Sequence, residues 1–169
     1  VSLTPSGGTG AHTISGDATS NLSAGTYSYL VTDANGCTAT ASATITQPSQ
    51  LMLSASVTSN VSCFGGNNGA VSLTPSGGTG AHTISGDATS NLSAGTYSYL
   101  VTDANGCTAT ASATITQPSQ LMLSASVTSN VSCFGGNNGA VSLTPSGGTG
   151  AHTISGDATS NLSAGTYSY

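Results

Sequence analysis

The chain has no lysine, no arginine, no glutamate and no tryptophan. Phosphate neutralisation requires lysine or arginine, so nucleic-acid binding is excluded. Electrostatic attraction to anionic lipid fails for the same reason. The acids are five aspartates, Asp17, Asp33, Asp87, Asp103 and Asp157, giving a formal net charge of -5 with only 3% of residues charged. No apolar run approaches the length of a spanning helix, so no membrane insertion is expected. There is no paired acid, no Gly-x-Ser-x-Gly elbow and no catalytic lysine, so no enzyme is expected. No cofactor and no metal is implied.

What remains is Ser, Thr, Gly, Ala and Asn, arranged in a repeat. Val1–Gln50 is identical to Val71–Gln120, and Leu51–Ala70 to Leu121–Ala140. Val141–Tyr169 starts the same text again, so the period is 70 residues. That is too long for one rung of a solenoid and suits one small all-β domain. The reading is a window of a longer array: a partial module at 1–50, a complete module at 51–120, and a partial module at 121–169 cut in its central strand. Linkers fall near 47–50 and 117–120, where Gln-Pro-Ser-Gln stands.

Within the complete module the pattern has period two, the mark of half-buried strands. Six strands are predicted: Leu51–Val57, Ala70–Thr74, His82–Ser85, a weak one in Ala88–Ser93, Thr96–Thr102 and Cys107–Thr116. Pro75 is expected to end the second. Tyr97, Tyr99 and Val101 share one face of the fifth, and Ala109, Ala111, Ala113 and Ile115 one face of the sixth. Asp103, Asn105 and Gly106 make the hairpin turn between them, Asn-Gly being the strongest short hairpin signal. The core is thin, and so small a module needs a staple or neighbours.

Cysteine offers the staple. Two per period without metal-type spacing read as a disulfide and an oxidising, extracellular setting. Two schemes fit: Cys63 with Cys107 inside one module, or Cys37 with Cys63 and Cys107 with Cys133 across the linkers. Six strands running alternately up and down bring Cys63 and Cys107 to one end, which favours the first scheme. Cys37 and Cys133 then pair outside the window. One strand more or fewer would place the two at opposite ends, beyond disulfide reach.

Other signals read as structural. His12, His82 and His152 are one residue repeated, a surface imidazole beside a turn. Asp103-x-Asn105-Gly106 is a scrap of a calcium loop without its later ligands. Asn60 and Asn91 begin Asn-x-Ser triplets and are candidate glycosylation positions. The Thr and Ser row from Thr108 to Thr116 is an ordinary exposed strand face.

The stretches VSCFGGNNGAVSLTPSGGTG, LSAGTYSYLVTDANGC and TITQPS resemble the SprB-type repeat of Bacteroidetes surface proteins and gliding-motility adhesins. The resemblance covers essentially the whole period. It implies tandem immunoglobulin-like β-sandwich modules, as beads on a string or a fibre, exported through the type IX pathway. It also implies that the two cysteines belong to one module. Where relatives carry a Pro-Tyr-x-Tyr-x-Trp stretch, this chain has Ala81-His82-Thr83-Ile84-Ser85, which thins the core.

The leading functional expectation is a structural array forming a stalk or filament at or outside the bacterial cell surface. Self-association with identical modules or chains is expected, and glycans are possible partners. The alternative is an adhesin whose ligand-binding tip lies outside this stretch. The third is a carbohydrate-binding module array of a secreted enzyme. Its usual aromatic platform is lacking, with only Phe64 and Phe134 beyond the tyrosines.

Overall fold

Alternating residues between glycine-rich breaks become strands at nearly the expected places. The computed structural model describes residues 1–169, with strands and no helix. The strands are β1 (Thr13–Gly16), β2 (Gly25–Thr32), β3 (Thr38–Ile45), β4 (Met52–Ser59), β5 (Gly69–Ser76), β6 (Thr83–Gly86), β7 (Ser90–Leu92), β8 (Gly95–Thr102), β9 (Thr108–Ile115), β10 (Met122–Ser129), β11 (Gly139–Ser146) and β12 (Ser160–Leu162). The chain divides into two compact units, Val1–Gln50 and Leu51–Tyr169.

The stretch from Leu51 to Gln120 is a two-sheet sandwich of the immunoglobulin-like kind. One sheet has the order β4-β5-β7, the other β6-β8-β9, and every pairing is antiparallel. Their inner faces close on Val61, Val71 and Leu92 from one side and Tyr99, Ala113 and Ile115 from the other. Val101 and Ile115 are 0% and 1% exposed. The inward parity read for Tyr99, Val101, Ala113 and Ile115 therefore holds. Burial of Val101 and of Ile115 each contributes about 1.5–3 kcal/mol before chain entropy is counted.

Strand direction departs from simple alternation at one point. β5 runs against β4, and β8 against β9. β4 and β9 end together, because Val61 N–H donates to Thr116 O (3.0 Å) and Thr116 N–H to Asn60 Oδ1 (2.9 Å). So β5 and β8 run the same way, and β6 and β7, their antiparallel partners, both run the other. The six strands make five passes. β6 and β7 are two halves of one pass that changes sheet between Gly86 and Ser90, at a kink with Gly86 φ at +125°.

Pro75 does not end its strand but lies inside β5, opposite Leu53. β7 pairs only with Gly69 and Ala70. The rest of that edge is open, the setting that tolerates a residue without N–H. Val57 is exposed where the β4–β5 register slips between Val57 and Ser59.

The other copies each hold one sheet. Unit Val1–Gln50 has β1-β2-β3, which are the residues of β6-β8-β9 one period earlier. Residues 121–169 have β10-β11-β12, the residues of β4-β5-β7 one period later. Apolar residues that are covered in the complete sandwich are open there: Leu51 is 8% exposed and Leu121 61%.

Candidate functional site

The hairpin turn is built around one carboxylate. Asp103 Oδ1 accepts the N–H groups of Asn105 (3.0 Å) and Cys107 (2.9 Å), and Oδ2 accepts that of Thr79 (2.9 Å). Backbone bonds from Gly106 N–H to Asp103 O and from Ala104 N–H to Thr79 O complete the knot. Asp103 thus ties the β8–β9 turn to the Gly77–Gly80 loop, and it is the one buried charged or polar side chain, 6% exposed. Only Gly106 has positive φ in this turn; Asn105 does not. The loop is therefore not the two-residue Asn-Gly turn the sequence predicts. Asp103 and Cys107 close it, and Gly106 takes the left-handed place at the end of a three-residue loop.

Burial alone would raise the Asp103 carboxyl. The Thr79, Cys107 and Asn105 donors, helped by His82, outweigh it and hold the group below its ordinary value. His82, half-buried, donates from Nε2 to Gly77 O at 2.8 Å, so it braces the same loop and is more than a surface imidazole. A carboxylate ringed by N–H donors has the wrong surroundings for a cation. No group of three or more His, Cys, Asp or Glu side chains comes together anywhere in the fold.

The cysteines do not come together either. Cys37, Cys63, Cys107 and Cys133 are free and exposed. The expected Cys63–Cys107 bond is absent for a geometric reason. Cys107 stands at the start of β9, whereas Cys63 follows Val61, which is bonded to Thr116 just past the end of β9. A strand of this length separates them by roughly 25 Å, against a Cα limit of about 7 Å. Five passes instead of six put them at opposite ends. Free and exposed, all four thiols should react with Ellman's reagent in the native chain without denaturant; a count of two or fewer would contradict this.

Cys63 instead belongs to a loop that holds the far end of the module. Cys63 O accepts Gly66 N–H (3.0 Å), Gly65 N–H donates to Gln117 Oε1 (2.8 Å), and Asn68 Oδ1 accepts Ser62 N–H (3.0 Å). In the sequence Gln117 reads only as the first residue of the linker, and its bond to Gly65, 52 residues earlier, follows no local pattern. Of the glycosylation candidates, Asn60 spends its side-chain oxygen on Thr116 N–H, while Asn91 is exposed with φ at +55°. Beyond the Cys63 loop lies a cleft of about 750 Å³. It is lined by Ser62, Cys63 and Phe64 on one side and by Leu121, Leu123 and His152, among others, on the other.

A second polar motif recurs in every copy. Asp87 Oδ2 accepts Ser98 N–H (2.6 Å), Asp87 N–H donates to Ser98 O (3.1 Å), and Tyr99 Oη donates to Ala88 O (2.9 Å). The same bonds form at Asp17, Ser28 and Tyr29 and at Asp157, Ser168 and Tyr169. It spans eleven residues and needs no second sheet.

The family model of the SprB repeat matches residues 55–106 and 125–159. Together these segments are about half of the chain. The chain belongs to the SprB repeat family. No curated protein and no solved structure matches it. The SprB segment 55–106 takes in Cys63, the Asp87 motif and the turn residues Asp103, Asn105 and Gly106. SprB repeats are structural repeats of cell-surface-associated proteins of the Bacteroidetes type. No helix of the chain is long and apolar enough to cross a membrane.

The SprB module should be acid-labile through Asp103. Its folded value lies below the unfolded one of about 3.9, so its contribution is complete above that value. The contribution fades as pH falls below it, when protonation removes the acceptor. Asp103→Asn should melt lower than the parent at pH 7, and the gap should narrow as pH drops from 4 toward 2. Melting followed by circular dichroism checks this; a constant gap would contradict it.

Proposed function

We propose that this chain is a segment of a mechanical array, in which 70-residue SprB modules follow one another as beads of a stalk or filament outside the cell. The modules run 1–50 (partial), 51–120 (complete) and 121–169 (partial), with Gln-Pro-Ser-Gln linkers near 47–50 and 117–120. The observation that carries the reading is the cleft between the Cys63 loop and the start of the following copy. It supports end-to-end succession, since the far end of one module lies beside the β10 end of the next. A surface without cations leaves polar hydrogen bonds and apolar contacts to hold such an array, so it should tolerate salt. Export by the type IX pathway belongs to the same reading.

Negative-stain microscopy of a longer recombinant array tests it. Strings of beads are expected, spaced at roughly 30 Å, the length of an eight- to nine-residue strand with its turns. Compact particles without axial repeat would overturn it.

A further inference from the structure

Four asparagines of this chain stand directly before a glycine: Asn35, Asn68, Asn105 and Asn138. They are two positions, each repeated at the 70-residue period. The fold treats the two positions oppositely. Asn105 lies exposed in the β8–β9 turn, bonded through its backbone N–H to Asp103 and through no side-chain atom. Gly106 beside it is exposed, and a β-carbon there would meet nothing within 4 Å. Asn35 and Gly36 repeat the arrangement, with Asn35 N–H on Asp33. Asn68, by contrast, is held. Its Oδ1 accepts Ser62 N–H and its Nδ2 donates to Ser62 Oγ, both at 3.0 Å. Gly69 is buried at the start of β5, paired with Leu92, and a β-carbon on it would lie 2.7 Å from Ile115 Cγ2. One period later, Asn138 Oδ1 accepts from Ser132 N–H and Oγ, and Gly139 is buried too.

We propose that Asn105, and Asn35 as its copy, is a self-modifying site, at which the turn of a module becomes acidic with water as the only reagent, while Asn68 and Asn138 are protected. In the first step the backbone nitrogen of Gly106 attacks Asn105 Cγ. The N–Cγ bond forms and the Gly106 N–H proton passes to solvent base. The Cγ–Nδ2 bond breaks, and Nδ2 leaves as ammonia with a proton taken from water. The product is a five-membered succinimide. Water then adds to one of its two carbonyl carbons and opens the ring. One opening gives aspartate; the other gives isoaspartate, whose main chain runs through the former side-chain carbonyl. Water is consumed, ammonia is released, and nothing is oxidised or reduced.

Glycine suits the attacking position because no side chain obstructs its nitrogen. One bond opposes the attack, from Gly106 N–H to Asp103 O at 3.0 Å. It lies in an exposed loop that can open without disturbing the core. At Asn68 the same attack must break both side-chain bonds and lift Gly69 out of β5 and away from Ile115.

The product bears on the knot around Asp103. A new carboxylate arises two residues from that buried one, and like charges at short range disfavour each other. Isoaspartate also lengthens the main chain of a three-residue loop. Both changes loosen the tie from Asp103 to Thr79. Each event adds one negative charge to a chain of formal charge -5 that has no lysine or arginine to offset it. The site recurs with the period, so ageing alters each such turn in the same way. The inference does not depend on whether the array serves as a stalk.

The test incubates the folded 169-residue chain with a thiol reductant in warm, mildly alkaline buffer, followed by chymotrypsin digestion and mass spectrometry. Val31–Leu51 and Val101–Leu121 give one and the same peptide, which carries the turn site. Gly65–Leu73 and Gly135–Leu143 give another, which carries the protected site. The mass gain of amide-to-acid conversion should accumulate in the turn peptide at least about tenfold faster than in the other. In denaturant the two rates should come within about threefold of each other, because the fold no longer distinguishes them. The aged chain should melt about 3 °C or more below the fresh one. A chain with Asn35→Gln and Asn105→Gln, whose longer side chains close the ring far more slowly, should gain no mass in the turn peptide and should keep its own starting melting temperature. A turn peptide that stays unchanged in the folded chain overturns the proposal. So do equal rates at the two sites in the folded chain, or an aged parent that melts like the fresh one.

Discussion

Ile115→Ala should lower the melting temperature of the middle module by roughly 10–25 °C, while Ile45→Ala should leave it within about 2 °C. The two positions carry the same residue in the same text 70 residues apart. Ile115 is 1% exposed, and it closes the core against Val61, Val71 and Leu92. Removing its side chain costs about 2–4 kcal/mol, part transfer and part cavity. A module of this size holds only some 4–10 kcal/mol in all. Ile45 ends β3 and is only half-buried. Its loss removes little from water that was not already there. Differential scanning calorimetry measures both. Equal effects at the two positions would contradict the burial difference between the copies.

Periodicity made most of this fold legible. The Thr96–Thr102 and Cys107–Thr116 alternation placed β8 and β9 almost to the residue, with Tyr99, Val101, Ala113 and Ile115 facing inward. Even the weak strand within Ala88–Ser93 exists, as Ser90–Leu92. Direction was not legible. Period two says which face a residue takes, and nothing about whether the next strand returns or carries on. At Gly86–Ser90 the chain carries on and changes sheet. That one step reversed the parity count and separated Cys63 from Cys107. The turn was half legible. Gly106 was identified by its neighbours, but the carboxylate that organises the turn reaches Thr79, 24 residues earlier, and no local pattern encodes that bond. Long-range partners of this kind, Gln117 with Gly65 among them, follow from topology.

Gly86→Ala should destabilise the module by about 3 kcal/mol or more, against about 1 kcal/mol for Gly106→Ala. Both glycines have positive φ, +125° at Gly86 and +82° at Gly106. Both substitutions therefore carry backbone strain, and what differs is the space. A β-carbon at Gly106 meets nothing within 4 Å. One at Gly86 runs into the carbonyl oxygen of Ser98 and lies 3.0 Å from Tyr99 Cα. These are backbone atoms of β8, and they cannot yield cheaply. Gly86 is paired with Tyr99, Ser98 is held on both sides by Asp87, and Tyr99 Oη is bonded to Ala88. Pushing them apart breaks the β6–β8 edge at the point where the chain leaves one sheet for the other. The splice between the sheets is then lost together with the pairing. Urea denaturation of the two variants gives the comparison directly. Equal midpoints would mean that strain alone, and not the close approach to β8, requires glycine at position 86.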